Sequence, residues 1–308
     1  MDIQTTEVRA AMTSIFKTRL LKAAVLLGLA AALAFCGVTA QAAVYYTYAG
    51  YSFSIDSGNA CLHSYDGTDA DLYIPESILT YPVTAIEDFA FLGRSKFNSL
   101  GLQYGANLKT IGSYAFARCS GFSTAEIPHK VETVGDGAFQ ENPTLKKAVY
   151  DGKKITAINR QTFYDCPLLS EVVLPPSLTS IGDYAFAKCP SLTYLALQRE
   201  VTEIGEGAFE GDAGLTLGVW YDSYAFEYAD ENDLRYVFLD GIGFGDADGD
   251  GVVSINDVTC IQRHLAELEQ LEGICTKTAD ANGDKTVDIY DAGHIQMYLA
   301  EYDVKLGR

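Results

Sequence analysis

Residues 178–200 read LTSIGDYAFAKCPSLTYLALQRE, and the frame of this stretch recurs along the middle of the chain. Ala-Phe or its equivalent ends at Phe91, Phe116, Phe139, Phe163, Phe186 and Phe209, with gaps of 25, 23, 24, 23 and 23 residues. Five residues before each phenylalanine stands Ile86, Ile111, Val134, Ile158, Ile181 or Ile204, and eight before stands Val83, Leu108, Val131, Ile155, Leu178 or Val201. Six after comes Phe97, Phe122, Leu145, Leu169, Leu192 or Leu215. A unit this short cannot bury its own apolar face, so apolar positions kept in phase over six units predict stacked coils around one continuous core.

A strand follows each phenylalanine, and its alternation sorts the side chains. Val172 and Leu174 face inward; Glu171 and Val173 face solvent, as do Lys147 and Val149, Tyr194 and Ala196, and Leu217 and Val219. Val149, Val173, Ala196 and Val219 then form an outward stripe, either a binding face or β-propensity filler. Trp220, the single tryptophan, falls at an inward strand position. Cys119, Cys166 and Cys189 each follow a repeat phenylalanine by three residues, where other units carry Arg94, Asn142 and Asp212. A place set by the repeat marks them as interior thiols, while Cys61, Cys260 and Cys275 are left undecided. Ile181-Gly182, Ala185-Phe186, Cys189 and Leu192 resemble the signature of the leucine-rich repeats of bacterial surface antigens. That resemblance spans about residues 45–240 and implies a β-rich recognition solenoid with a tyrosine-rich N-terminal cap and a C-terminal cap around Tyr224, Ala225 and Phe226.

Further along, two twelve-residue acidic loops repeat each other. Asp246, Asp248, Asp250, Val252, Ser254 and Asp257 recur 34 residues later as Asp280, Asn282, Asp284, Thr286, Asp288 and Asp291. Calcium takes six to eight oxygens, and this spacing converges five side chains and one backbone carbonyl, from Val252 or Thr286, on a point. Each loop leads into one helix pattern: Ile261, Gln262, Leu265, Ala266 and Glu267 align with Ile295, Gln296, Leu299, Ala300 and Glu301. Isoleucine and leucine four apart share a helix face, so the two helices can pack together. Gly241-Ile242-Gly243-Phe244-Gly245 offers no helix ahead of the first loop. From Gly241 the segment holds 13 acids against 5 bases, a repulsion that two calcium ions would halve, which couples folding to metal.

The paired loops, closed by aspartate, resemble a type I dockerin over about residues 243–306. The resemblance implies a cohesin domain on a scaffolding protein as partner and assembly into a cellulosome. It also implies partner contacts at Ile255, Asn256, Gln262, Arg263 and Glu267 in the first half, and at Ile289, Tyr290, Gln296, Met297 and Glu301 in the second. Two departures stand out. Lys285 replaces the turn glycine of the second loop, a place that asks for positive φ, so that site is expected to be weaker. Ile255-Asn256 and Ile289-Tyr290 stand where many members carry Ser-Thr, which points to a more apolar cohesin surface.

At the N-terminus Arg9, Lys17, Arg19 and Lys22 precede an apolar run from Ala23 to Phe35, and Ala40-Gln41-Ala42 offers a small-residue cleavage site. The run is short for a bilayer span and reads as a secretory signal, starting at Met1 or Met12. Lipidation at Cys36 is the alternative, against which the bulk of Phe35 argues. Removing residues 1–42 takes four bases and two acids from a chain of formal charge −19, and so acidic a product disfavours nucleic acid and anionic membrane.

His63, His129, His264 and His294 form no metal-spaced pair, and no phosphate loop, Gly-x-Ser-x-Gly elbow or His-Glu-x-x-His occurs. The expectation is a multidomain chain: a signal peptide at 1–42, a β-rich leucine-rich-repeat solenoid at 43–240, and a small all-α calcium-binding dockerin with paired loops at 241–308. Its expected role is a secreted, non-enzymatic, cellulosome-associated protein working in polysaccharide degradation. It would bind two calcium ions and a cohesin, and present repeats whose protein or glycan ligand the sequence does not name. An enzyme or enzyme inhibitor acting through the repeats, or a cell-surface adhesin, is the alternative.

Overall fold

The structure is a computed structural model that describes residues 44–95, 97–239, 243–273 and 275–307. The expected signal segment, residues 1–42, lies outside them. Backbone contacts divide the chain into Met1–Tyr46 and Thr47–Arg308, and the elements from Tyr51 onward belong to the second unit.

Each repeat lays down two short strands and a turn. One ladder of parallel two-residue strands joins Thr110–Ile111 to Thr133–Val134, and another joins Ala157–Ile158, Ser180–Ile181 and Glu203–Ile204. The isoleucine or valine of each strand is buried. The longer strands after each phenylalanine form their own parallel sheets, Thr124–Ile127 with Lys147–Tyr150 and Glu171–Val173, then Tyr194–Ala196 with Thr216–Val219 and Arg235–Phe238. At the N-terminal end the hairpin Tyr51–Asp56/Asn59–Tyr65 extends the first ladder through Tyr81–Ile86.

The repeat phenylalanines stack as one column. Successive rings from Phe91 to Phe209 lie 5.1, 5.5, 5.8, 5.5 and 5.9 Å apart, and no pair is tilted by more than 14°. Such offset stacking suits the ring quadrupoles. Tyr228 ends the column edge-on against Phe209, from a cap helix, Tyr224–Glu231, started by the Ser223 hydroxyl accepting the Phe226 N–H at 3.2 Å.

The turn carrying each phenylalanine also makes inter-unit bonds. The N–H groups of Tyr114, Phe116 and Arg118 donate to Asp136, Ala138 and Gln140 of the next unit at 2.8–2.9 Å, and the pattern recurs at Gly137, Phe139 and Glu141. To aim alternate N–H groups the same way, the residues two before and two after the phenylalanine take positive φ: Tyr114 at 56°, Arg118 at 57°, Tyr184 at 54°, Lys188 at 61°. Side chains bear that cost at most of these positions, which is why no invariant glycine advertises the turn in the sequence.

The outward stripe ends sooner than the repeat frame predicts. Val173 and Ala196 are exposed and Val149 is half-buried, but Leu217 and Val219 are fully buried. The register pairs Leu195 with Leu217 and Ala196 with Gly218. Leu192 and Leu195 are three apart whereas Leu215 and Leu217 are two apart, so the sixth unit is one residue short before its strand. A slip of one residue exchanges the two faces. Gly218 takes the stripe's place, and a Cβ there would lie 2.5 Å from the Tyr194 hydroxyl. Trp220 accordingly falls beyond the strand end and is half-buried.

Cys119, Cys166 and Cys189 are buried free thiols, and Cys61, Cys260 and Cys275 are free and half-buried. Phe186→Ala, which opens the ring column, is expected to cost about 3–5 kcal/mol, whereas Val173→Ser on the sheet surface should cost under about 1 kcal/mol. Thermal melts of the two variants check the ranking.

Candidate metal centre

The two acidic loops fold around their own backbones. In the first, the Asp246 carboxylate accepts the N–H groups of Gly249 and Gly251 at 2.8 and 3.0 Å; Asp248 accepts from Asp250 at 3.1 Å and Asp250 from Val252 at 2.8 Å. Asp257 is fully buried and accepts three: from Ala247 at 2.8 Å, Asp248 at 3.1 Å and Ser254 at 2.6 Å. The second loop repeats this. Asp280 accepts from Asp284 and Lys285 at 3.0 and 2.8 Å, Asn282 from Asp284 at 2.8 Å, Asp284 from Thr286 at 2.9 Å, and Asp291 from Asn282 and Asp288 at 3.1 and 2.8 Å.

The ends of both loops start helices. Ser254 caps Ile255–Leu265 and Asp288 caps Ile289–Leu299, each in a capping box closed by Asp257 or Asp291. The Ser254 hydroxyl accepts the Asn256 N–H at 3.1 Å, and an Asp288 oxygen accepts the Tyr290 N–H at 2.7 Å. The spacing S-I-N-D and D-I-Y-D carries this signal, which the metal reading of the same residues overlooked. The two helices pack around a small core of Ala247, Val258, Ile261, Leu271, Ala279, Ala281, Ala292 and Ile295.

The donor set suits a hard dication. Ligand atoms of Asp246, Asp248 and Asp250 all lie within 4.8 Å of one another, and the side-chain donors of both loops are oxygens throughout. Burial, with the neighbouring Asp257, Asp250 and Asp246 charges, holds the Asp248 carboxyl above the usual range. Burial does the same to Asp291. Repulsion of that kind is what a bound cation relieves. Asp257 and Asp291 are at the same time backbone acceptors, so one carboxylate joins loop, helix start and cation locus.

Lys285 adopts φ +73°, the conformation the sequence requires of it, and its side chain has a partner outside the loop. It pairs with Asp233 of the repeat cap, while Lys277 reaches Asp230 at 2.7 Å. Beside these pairs Phe244 packs its ring 5.7 Å from Tyr236 and 6.0 Å from Phe238. The loop module is thus seated on the last strand of the solenoid. All ten candidate partner positions, Ile255, Asn256, Gln262, Arg263, Glu267, Ile289, Tyr290, Gln296, Met297 and Glu301, remain exposed.

One constellation escaped the sequence because its members are distant. The His63 ring bonds Glu87 through Nδ1 and the Ser54 hydroxyl through Nε2, the latter at 2.8 Å. Ser54 and His63 lie on the paired strands of the N-terminal hairpin and Glu87, its side chain 40% exposed, just after the neighbouring strand Tyr81–Ile86, so the bonds tie the three segments together.

Residues 83–216 match the BspA type leucine rich repeat region in six copies, and residues 244–300 match the dockerin type I domain. No curated protein matches the chain. Among solved structures it is similar to a leucine-rich repeat protein of T. pallidum, at 23% identity over 59% of this chain and 71% of that one, TM-score 0.33. It is likewise similar to one from Bacteroides ovatus, at 18% identity over 63% and 67%, TM-score 0.31, and to one from Eubacterium ventriosum, at 23% identity over 56% and 51%, TM-score 0.43. The chain is a β-solenoid of leucine-rich repeats followed by a small helical dockerin. Its repeats are of the BspA type and its dockerin is of type I, a calcium-binding module that implies a cohesin partner and a cellulosome-type assembly.

Asp257→Ala, which removes the closing carboxylate and with it the acceptor of three backbone N–H groups, is expected to weaken calcium binding by about tenfold or more. Ser254→Ala should cost about 1 kcal/mol of helix stability through the lost cap and leave more of the calcium heat in calorimetry. Lys285→Gly removes a positive-φ side chain and a cation beside the second loop, so calcium affinity there should rise severalfold in a competitive chelator titration.

Proposed function

We propose that this chain is a secreted, non-catalytic component of a cohesin-organised assembly that degrades polysaccharide, in which residues 241–308 attach the protein and residues 43–240 recognise a protein or glycan ligand. Two calcium ions bind, one held by Asp246, Asp248, Asp250, Ser254, Asp257 and the Val252 carbonyl, the other by Asp280, Asn282, Asp284, Asp288, Asp291 and the Thr286 carbonyl. The observation that carries this reading is the state of the paired helices. They are fixed by capping boxes and a small core, yet they hold Ile255 59%, Ile289 56%, Tyr290 74% and Met297 43% exposed. Apolar side chains kept rigidly in water in two equivalent places suit a protein partner.

The two halves are not equal. Ile255/Ile289, Gln262/Gln296 and Glu267/Glu301 agree, but Tyr290 and Met297 stand where the first half has Asn256 and Arg263. The second half can bury more apolar area, so it is the dominant cohesin face. With cohesin domains as probes, Tyr290→Ala with Met297→Ala should lose more affinity than Asn256→Ala with Arg263→Ala. Equal losses would mean docking through either half, and no calcium heat at micromolar metal would overturn the metal-dependent reading altogether.

A further inference from the structure

The third residue after each repeat phenylalanine has a fixed task in the interior. In four successive units it donates a hydrogen bond to the phenylalanine carbonyl of the unit before. Cys119 Sγ reaches Phe91 O at 3.2 Å, Asn142 Nδ2 reaches Phe116 O at 3.1 Å, Cys166 Sγ reaches Phe139 O at 3.2 Å, and Cys189 Sγ reaches Phe163 O at 3.1 Å. The position is buried each time, and a carbonyl there without a donor costs stability because water cannot replace it.

In the sixth unit the residue is Asp212, 6% exposed. Its Oδ1 accepts the Cys189 N–H at 2.6 Å, while Oδ2 is buried with no hydrogen-bond partner. The carbonyl that the repeat assigns to this side chain is Phe186 O, and among the described residues no backbone N–H outside the strands and no side chain donates to it. An ionised carboxylate can only accept, so it would leave two buried acceptors facing one task that needs a donor.

We propose that Asp212 is a carboxylic acid in the folded protein, donating its proton to the Phe186 carbonyl, and that this proton fastens the last repeat to the solenoid. Its surroundings fit a neutral group. From the preceding unit it meets the Cys189 thiol, itself pushed up chiefly by burial. Lys188 lies beside Gly211, and the Asp165 and Glu210 carboxylates act on that lysine. From the strand behind, Arg235 donates to the Ala213 carbonyl at 2.7 Å rather than to the carboxylate. Among the described residues the bond to Asp212 comes from the Cys189 N–H and none from a cation.

Burial pushes the Asp212 carboxyl up to about 7, opposed only by the Cys189 N–H. The folded state therefore holds this proton more tightly than the unfolded chain, whose aspartates titrate near about 4. The contribution to stability is full below that unfolded value and is lost as pH rises through about 7. The loss falls at a joint. Four residues on, Thr216–Val219 pairs with Arg235–Phe238, and Tyr236 and Phe238 of that strand hold Phe244 of the dockerin.

The test uses the full chain in excess calcium, so that the loops stay metal-bound, and two variants that restore a permanent donor in forms the repeat already uses, Asp212→Asn as at position 142 and Asp212→Cys as at position 189. The Asp212 carboxyl carbon, assigned by its loss in Asp212→Asn, should titrate near neutrality by NMR. Between about pH 5 and pH 8 the wild-type melting midpoint should fall by about 3 °C or more relative to either variant that folds. Titration in the ordinary carboxylate range, or a wild-type pH profile parallel to those of the variants, would overturn the proposal.

Discussion

The solenoid depends on one constraint: a coil of 23–25 residues has no interior of its own, so each must share its core with its neighbours. The phenylalanine column is the clearest form of that sharing. Every ring but the terminal ones lies between two others, and the turns that hold them bond unit to unit through alternate N–H groups. Positive φ at side-chain-bearing residues such as Tyr114 and Lys188 costs roughly 1–2 kcal/mol each. The inter-unit hydrogen bonds exist only in that conformation and offset the cost. Strain is therefore spread along the stack rather than concentrated at a site.

A stack held by neighbours is weakest where neighbours run out. At one end the hairpin Tyr51–Asp56/Asn59–Tyr65 supplies strands, and Ser54, His63 and Glu87 tie them together. At the other the cap helix sets Tyr228 against the last ring and the Arg235–Phe238 strand closes the sheet. The sixth unit is also the irregular one. It lacks a residue before its strand, it carries Asp212 where three others have cysteine, and it leads directly into the cap.

The phase of the repeat was legible because apolar residues recur at three fixed offsets from each phenylalanine, and the loops because aspartates recur at alternate positions in two copies. Leu217 and Val219 were misplaced for a physical reason. Leu215 keeps its offset of six, so the missing residue falls where the sequence offers no landmark, and alternation then assigns every later side chain to the wrong face. The capping boxes were hidden by overlap, since Asp257 and Asp291 answer to two patterns and the metal pattern is the more conspicuous. Inter-unit bonds such as Asn142 to Phe116, or His63 to Glu87, join residues more than twenty apart and have no local signature at all.

The seat between solenoid and dockerin brings these threads together. Lys285, a poor residue for its own loop, pairs with Asp233; Lys277 pairs with Asp230; Phe244 packs against the cap strand. Asp233 is 74% exposed, so its pair with Lys285 is worth little as a source of stability. The aromatic contact does more, because it extends the solenoid's own core by one ring beyond the described end of the repeats. None of the ten candidate partner positions takes part in the seat. The module is thus anchored through Phe244, Lys277 and Lys285 while both exposed helix faces lie outside the seat, a division of surface in which the contacts that hold the module to the repeats leave those faces uncovered.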